Sequence, residues 1–326
     1  MATKVLITER FALNTLVQMQ TDSHLAVTHD LQWFQKPQEQ WADVEVLVIR
    51  SQTKVDQKLL ANFPKLKLVI SATAGFNHID LELCRERQII VSHCPTSHSA
   101  STAELTWALV LACARRLPEA QKAVRQGDWD RNKILGTELS GKTYGIVGLG
   151  RVGSRVAHIA RAFGMKVMAF DPYQDDDIFT RDQVERVSLE ELLTQADVVS
   201  LHVPLTKETW HMLGEMFLES ISPHTILVNT CRGPVIHEKS LVHLLQSNKI
   251  GAIGLDVYEY EPLSKDSPLL RFANVVTTPH VGASTREAFD KASHEAYVKI
   301  RHYLQDTPLE DLLPPTAPWY KPGSAL

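Results

Sequence analysis

The run Tyr144-Gly145-Ile146-Val147-Gly148-Leu149-Gly150-Arg151-Val152-Gly153 constrains this chain more than any other stretch. A short apolar strand runs into Gly-x-Gly-x-x-Gly, a helix is expected over residues 152–162, and a second apolar strand over 166–170 ends at Asp171. The glycines have separate tasks. Gly148 permits the tight turn, Gly150 lets the backbone approach a pyrophosphate, and Gly153 lets the helix pack closely on its strand. The N–H groups and positive dipole end of that helix then face the phosphates. Asp171 lies eighteen residues beyond Gly153, placed to accept hydrogen bonds from ribose hydroxyls. Its charge repels a 2′-phosphate, so NAD is expected rather than NADP. A glycine-rich turn alone is common in βαβ units; the strand, helix, second strand and terminal acid together are what point to a dinucleotide.

Because the motif begins near residue 145 of 326, a first domain must precede it. The length suffices for two cores. A net charge of −4 and the lack of a basic run argue against a nucleic-acid surface. Cys84, Cys94, Cys113 and Cys231 show neither metal spacing nor a disulfide framework, and read as buried thiols of a reducing cytosol. The chain starts without a leader-like pattern. Its longest apolar run, residues 105–114, is too short to span a bilayer and is followed by Arg115 and Arg116. A cytoplasmic protein with no membrane, nucleic-acid or metal partner is expected.

Residues 1–98 alternate apolar runs (4–8, 25–29, 45–49, 66–71 and 89–92) with helical patterns such as 14–20 and 57–62. Apolar runs separated by helices read as a parallel sheet buried on both faces, here of flavodoxin-like character. A helical pattern over 99–126 opens with Ser99, Ser101 and Thr102 near Glu104, and Pro118 should bend or split it. Later strands are expected at 198–203, 225–230, 250–256 and 275–278, with helices at 189–195 and 239–248. The helical pattern at 284–304 has no place in a completed doubly wound domain and is expected to return to the first one. The predicted fold class is therefore α/β with two Rossmann-like doubly wound domains and a cleft between them. A discontinuous, flavodoxin-like substrate domain (1–98, completed by 285–326) accompanies an NAD-binding Rossmann domain (99–284). The proline-rich tail with Trp319 and Tyr320 reads equally as a packed arm or a disordered end.

In such sheets ligands bind outside the carboxyl ends of the strands. Three segments there carry unusual polar residues: Asn229-Thr230-Cys231-Arg232-Gly233-Pro234, Asp256-Val257-Tyr258-Glu259-Tyr260-Glu261-Pro262, and Pro279-His280-Val281-Gly282-Ala283-Ser284. Hydride transfer to a 2-oxo acid needs a cation for the carboxylate, and the planar fork of Arg232 suits that task. It needs a proton donor for the carbonyl oxygen, which an imidazolium at His280 supplies. It also needs an acid to orient that imidazole and favour its charged form, the role read for Glu261. Asp256 either bonds a nicotinamide carboxamide or caps a turn. Taken singly, each of these is commonly a surface cation, a loop acid or a structural histidine; their joint position at strand ends of one domain carries the reading.

Those three segments, extended to Thr285, resemble the signatures of the D-isomer-specific 2-hydroxyacid dehydrogenases, and the resemblance runs over essentially the whole chain. Within that family, Ile49-Arg50-Ser51-Gln52-Thr53-Lys54-Val55 and the stretch 136–143 most resemble the branch that oxidises D-3-phosphoglycerate in serine biosynthesis. The resemblance implies that Arg232, Glu261 and His280 are catalytic. It implies that the backbone at Ala74 and Gly75, with Arg50, Arg232 and His280, contacts substrate. It further implies that Gly148, Gly150, Arg151, Val152, Gly153, Asp171, Val203, Thr230, Cys231, Asp256 and Gly282 line the NAD site. A homodimer built largely through the nucleotide domains and the helix near 99–126 is implied as well.

Several positions depart from the pattern. The loop Ser71-Ala72-Thr73-Ala74-Gly75-Phe76-Asn77 stands where the family often has Gly-x-Gly-x-Asp, and His98 where asparagine is common, which leaves the substrate open. A hydroxypyruvate or glyoxylate reductase is the enzymatic alternative. An NAD-sensing binding protein, like the C-terminal-binding corepressors that resemble the family, is the alternative of another class. Glu261 argues against the formate dehydrogenase branch, which has glutamine there. The chain ends soon after the returning helix, so the regulatory domain of long phosphoglycerate dehydrogenases is not expected. Asp175-Asp176-Asp177 reads as a solvated face, Trp107 as core, Trp129 as a dimer or substrate contact, and Arg131 and Lys133 as phosphate contacts or plain surface charge.

Overall fold

A computed structural model describes residues 2–314. In chain order the first part holds β1 (Thr3–Ile7), α1 (Leu13–Thr21), β2 (Leu25–His29), β3 (Val46–Ile49), α2 (Gln57–Leu60), β4 (Leu68–Ser71), α3 (Leu81–Glu86) and β5 (Ile90–His93). Next come α4 (Ser99–Ala114), α5 (Leu117–Arg125), β6 (Thr143–Val147), α6 (Arg151–Ala162), β7 (Lys166–Phe170), α7 (Asp176–Asp182), β8 (Glu185–Arg186) and α8 (Leu189–Gln195). The rest comprises β9 (Val198–Leu201), α9 (Glu215–Glu219), β10 (Ile226–Asn229), α10 (Glu238–Gln246), β11 (Ala252–Leu255), β12 (Val275–Thr277), α11 (Arg286–Leu304) and β13 (Leu312–Leu313). The chain divides into two compact units: one runs up to Ser99 and resumes at Ala283, the other spans Ala100–Gly282.

The first unit's sheet has the order β13-β5-β4-β3-β1-β2. Its five longer strands are parallel, in the order of a flavodoxin-like sheet. The strands β3 and β4 are buried at every residue, as a sheet covered on both faces requires. The helix α11 closes one face: Ala292, Ala296 and Ile300 share a core with Val5, Ile7, Val46, Val48, Leu68 and Ile70. Its start is fixed by Thr285, whose hydroxyl accepts the Ala288 N–H. One feature differs from the all-parallel sheet read from the sequence. The two residues of β13 pair antiparallel with β5, and the buried Leu313 completes that edge. A two-residue strand has too little alternation to be read from sequence. The expectation for the tail from residue 315 onward lies outside the described residues.

The second unit is a seven-stranded parallel sheet of order β12-β11-β10-β9-β6-β7-β8. This is the doubly wound Rossmann order extended by one strand, and its switch point lies between β6 and β9. The expected long helix over 99–126 is split into α4 and α5. Arg116 between them adopts a left-handed φ of 50°, and Pro118 sits in the first turn of α5, where its missing N–H costs nothing. Trp107 packs in the core, stacked on Phe163 with ring centroids 4.7 Å apart. The strands expected to reach residues 203, 230 and 256 end at Leu201, Asn229 and Leu255. The residues past those ends leave the ladder for turns, and those turns build the site. Among the described residues no helix is long and apolar enough to cross a membrane, and no group of His, Cys, Asp or Glu is placed to hold a metal ion.

Candidate active site

The fingerprint turn follows β6 at the switch point. Gly148 has φ +96°, which L side chains rarely adopt, and a Cβ there would lie 2.8 Å from the His202 carbonyl oxygen. A Cβ on Gly153 would fall inside the contact radius of the Gly148 carbonyl, so α6 can lie on its strand only without a side chain at that point. Gly150, the N-cap of α6, has nothing within 4 Å of its Cβ position. That open space, at the N-terminus of a twelve-residue helix, is the cradle a pyrophosphate requires.

Asp171 stands one residue past β7, half-buried. Its Oδ2 accepts the Leu149 N–H at 2.8 Å, and its Oδ1 accepts those of Tyr173 and Gln174 at 2.9 and 3.2 Å. The same carboxylate proposed to bind ribose hydroxyls thus ties the glycine turn to the end of the neighbouring strand. Sequence pattern shows the acid but not these three backbone donors. Replacing Asp171 with alanine is expected to raise the NADH dissociation constant about tenfold or more, as loss of a charged acceptor costs about 1.5–3 kcal/mol. Asp171→Asn keeps an acceptor but removes the charge, so it should narrow the gap between NADH and NADPH. Fluorescence titration with both cofactors checks each outcome.

Beyond β10, Asn229 organises the turn that carries Arg232. Its Oδ1 accepts the Cys231 N–H at 3.0 Å and its Nδ2 donates to the Arg232 carbonyl at 2.9 Å. The Arg232 Nη1 donates to the Cys231 carbonyl at 2.6 Å. Burial draws the guanidinium below its ordinary pKa, opposed by the charge of Glu261. The Cys231 thiol is pushed up to about 11 by burial, which favours its neutral form. Thr230 is buried, with its hydroxyl 2.8 Å from that of Thr106 on α4. Val203 lies past β9, its Cγ1 beside Gly148.

Beyond β11, Asp256 is fully buried. Its Oδ1 accepts from the Thr278 hydroxyl at 2.6 Å and the Val281 N–H at 2.8 Å, and its Oδ2 from the Gly282 N–H at 2.8 Å. Of the two roles read for it, capping a turn is the one its contacts carry, and the turn is the one bearing His280. That histidine adopts φ +52° and donates its N–H to the Asp256 carbonyl at 2.8 Å. Its Nδ1 lies 2.7 Å from Glu261 Oε2. The Oε1 of Glu261 accepts the Tyr258 N–H at 3.1 Å. Burial alone would raise the Glu261 carboxyl, but the His280 hydrogen bond, the Tyr258 N–H and the charges of His280 and Arg232 together hold it below the usual glutamate range. An ionised carboxylate only accepts, so Nδ1 carries the proton and Nε2 is the nitrogen with an open lone pair.

Of the remaining residues read from the sequence, the first unit holds Arg50, Ala74, Gly75 and His98. Glu9 accepts the backbone N–H groups of Arg50 (2.9 Å) and Thr53 (2.8 Å) and of Gln52, and so clamps the turn after β3. The Arg50 guanidinium lies over the Phe289 ring, 4.8 Å from its centroid, and burial lowers its pKa despite the Glu9 charge. Burial and the Arg50 charge bring His98 down to about 4, so it is neutral where asparagine was expected from the family. The carbonyls of Ala74 and Gly75 are engaged by His93 Nδ1 and the Thr73 hydroxyl, at 2.8 and 2.9 Å. Asp175, Asp176 and Asp177 are exposed, with Asp176 paired to Arg186. The Lys133 ammonium pairs with Asp128 at 3.0 Å.

The model of the D-isomer specific 2-hydroxyacid dehydrogenase NAD binding domain matches residues 107–282. The D-3-phosphoglycerate dehydrogenase of Archaeoglobus fulgidus is 43% identical over 244 residues, which cover 75% of this chain and 46% of that relative. The chain spans about half the length of the phosphoglycerate dehydrogenases it matches. The glyoxylate reductase of Thermococcus litoralis is 42% identical over 253 residues, 76% of either chain. The structure of D-lactate dehydrogenase from Aquifex aeolicus, complexed with NAD and lactic acid, superposes with a TM-score of 0.82 at 30% identity, covering 93% of this chain and 96% of that one.

Proposed function

The chain belongs to the D-isomer specific 2-hydroxyacid dehydrogenase family, and on that premise we propose that it interconverts a D-2-hydroxy acid and its 2-oxo acid with NAD. The observation that carries this reading is the 2.7 Å contact between His280 Nδ1 and Glu261 Oε2, on turns past the strand ends of the unit that bears the dinucleotide fingerprint. When bound, NAD supplies the acceptor for the hydride. Gly148, Gly150, Arg151, Val152, Gly153 and Asp171 are assigned to hold it, with Val203, Thr230, Cys231, Asp256 and Gly282 beside the nicotinamide end. In oxidation, His280 takes the hydroxyl proton at Nε2 while Glu261 steadies the imidazolium; in reduction it returns that proton to the carbonyl oxygen. Arg232 grips the carboxylate through its planar fork. In the first unit, the reading keeps Arg50, Ala74 and Gly75 as substrate contacts.

For the substrate we propose D-3-phosphoglycerate, the acid that opens serine biosynthesis. The similarity to the Archaeoglobus enzyme and the half-buried Arg50 cation support it. The coverage of 76% of the Thermococcus glyoxylate reductase favours the second reading, reduction of glyoxylate or hydroxypyruvate. Absorbance at 340 nm across small 2-oxo and 2-hydroxy acids tests both. Efficient turnover of 3-phosphoglycerate with NAD is expected; glyoxylate or hydroxypyruvate preferred by a wide margin would replace it with the second reading. The four free thiols suit a reducing compartment such as the cytoplasm.

A homodimer is part of the same proposal. The helix α5 buries none of its residues, and Leu117, Val124, Trp129 and Leu135 are exposed on or just after it. Trp129 is 74% and Leu135 83% exposed, an apolar set that a monomer would leave in water. The double substitution Trp129→Ser with Leu135→Asp should halve the mass seen in sedimentation equilibrium; an unchanged mass would place the contact elsewhere.

A further inference from the structure

The turns that carry Arg232 and Glu261 are held to one another by contacts that the hydride chemistry does not itself use. Gly233 lies so close to the Tyr258–Glu259 peptide that any Cβ would overlap the Tyr258 carbonyl. Two residues before Glu261, the Glu259 Oε2 accepts the N–H of Glu238, the first residue of α10, at 3.2 Å. In return the Glu238 Oε2 accepts the Glu259 N–H at 3.4 Å. His211 lies beside the group, its Nε2 3.3 Å from Glu259 Oε1 but making no hydrogen bond, with Trp210 and His237 rings each 4.8 Å from its own. The His211 N–H donates to the Pro234 carbonyl at 2.7 Å, and the Leu213 N–H to that of Val235 at 3.0 Å. Like His280, His211 adopts a left-handed φ, here 51°, a conformation non-glycine residues seldom take without surrounding contacts that enforce it.

Two carboxylates so close repel, and burial together with the Glu259 charge raises the pKa of Glu238. The reach of a glutamate is what joins the turn past β11 to the start of α10 across the turn past β10.

We propose that the reciprocal Glu238–Glu259 clasp is a positioning device that sets Glu261 against His280 and Arg232. Its catalytic consequence rests on the roles proposed above; its geometric consequence does not. Glu259 and Glu238 touch no reacting atom and act through Glu261.

The test uses the full chain and two readouts. A histidine N–H bonded to a carboxylate gives a far-downfield proton resonance, assigned to His280 by its absence from His280→Asn. Glu259→Ala is expected to abolish that resonance and to lower kcat for 3-phosphoglycerate with NAD about 10- to 100-fold, the scale for an ångström-level misplacement. Glu259→Gln keeps an acceptor for the Glu238 N–H and should restore the resonance and most of kcat. Glu238→Ala removes the opposite acceptor and gives the same reading should Glu259→Ala not fold. A Glu259→Ala protein with wild-type melting temperature and an intact resonance would overturn the clasp. Glu261→Gln separates the two ideas: if it turns over as wild type while Glu259→Ala loses the resonance, the catalytic assignment fails and the clasp stands.

Discussion

Replacing His280 with asparagine is expected to lower kcat by about two to four orders of magnitude, the range a positioned proton donor or acceptor contributes. Asparagine matches the size of the ring up to Nδ1 and can still donate to Glu261, so the turn anchored by Asp256 should persist. Lost is the group at the Nε2 position, which alone faces away from the carboxylate. Substrate KM should therefore change little, because Arg232 still holds the carboxylate, and NADH affinity by fluorescence should be unaltered. A parallel fall in cofactor affinity would mean that the substitution collapsed the turn rather than removed a proton carrier. Glu261 adds a pH signature. Its carboxyl is held below the 4.5 of an ordinary glutamate. A depressed folded-state value means that its contribution to stability is complete above that pH and is lost as pH falls through the lower value. The acid-side loss of activity that Glu261 controls should thus lie below pH 4.5, and Glu261→Gln should remove it.

Most of the site's chemistry was legible because its residues sit at positions that follow from a simple rule. Strand-like apolar runs ending in Asp171, Arg232, Asp256 and His280 place those residues at the carboxyl ends of a parallel sheet, and Gly148 and Gly153 announce a turn that no other residue fits. The structure shows why the expected strands at 198–203, 225–230 and 250–256 were too long. Past the ladder ends the side chains bond elsewhere, Thr230 to Thr106 and Asp256 to the His280 turn. Short elements escaped for a different reason. The five-residue α9 and the two-residue β8 and β13 each contain less than two periods of their own pattern.

What the sequence could not show is how one acidic side chain divides its acceptors. Asp171 reads as a ribose ligand, yet three backbone N–H groups already lean on it. Glu9, unremarked in the sequence, fixes the turn bearing Arg50 through three backbone donors. Glu238 and Glu259 are twenty-one positions apart and acquire meaning only once β10, β11 and α10 are placed. Each is a carboxylate bonded to backbone, and backbone N–H groups leave no mark in an amino-acid string. Trp129, read from the sequence as a dimer or substrate contact, is exposed.

Replacing Arg232 with alanine should cost about 2–5 kcal/mol of substrate binding, the loss seen when one partner of a desolvated charge pair is cut away. At 1.4 kcal/mol per tenfold this is roughly 30- to 4000-fold in kcat/KM. The turn itself should survive, because its shape is set by Asn229 bonding the Cys231 N–H and the Arg232 carbonyl, and both are backbone groups present in any variant. The guanidinium contact to the Cys231 carbonyl disappears. Arg232→Lys is the sharper experiment. It keeps the charge that holds Glu261 ionised but replaces a planar two-pronged donor with a point charge that cannot grip both carboxylate oxygens in plane. Its loss should fall between wild type and alanine and appear chiefly in the KM of the acid. If lysine were as good as arginine in steady-state kinetics, the residue would be acting through its charge alone, and the carboxylate fork assigned to it would have to be given up. Oxamate, a planar mimic of a 2-oxo acid, offers the same comparison without turnover: its inhibition should weaken in the order arginine, lysine, alanine.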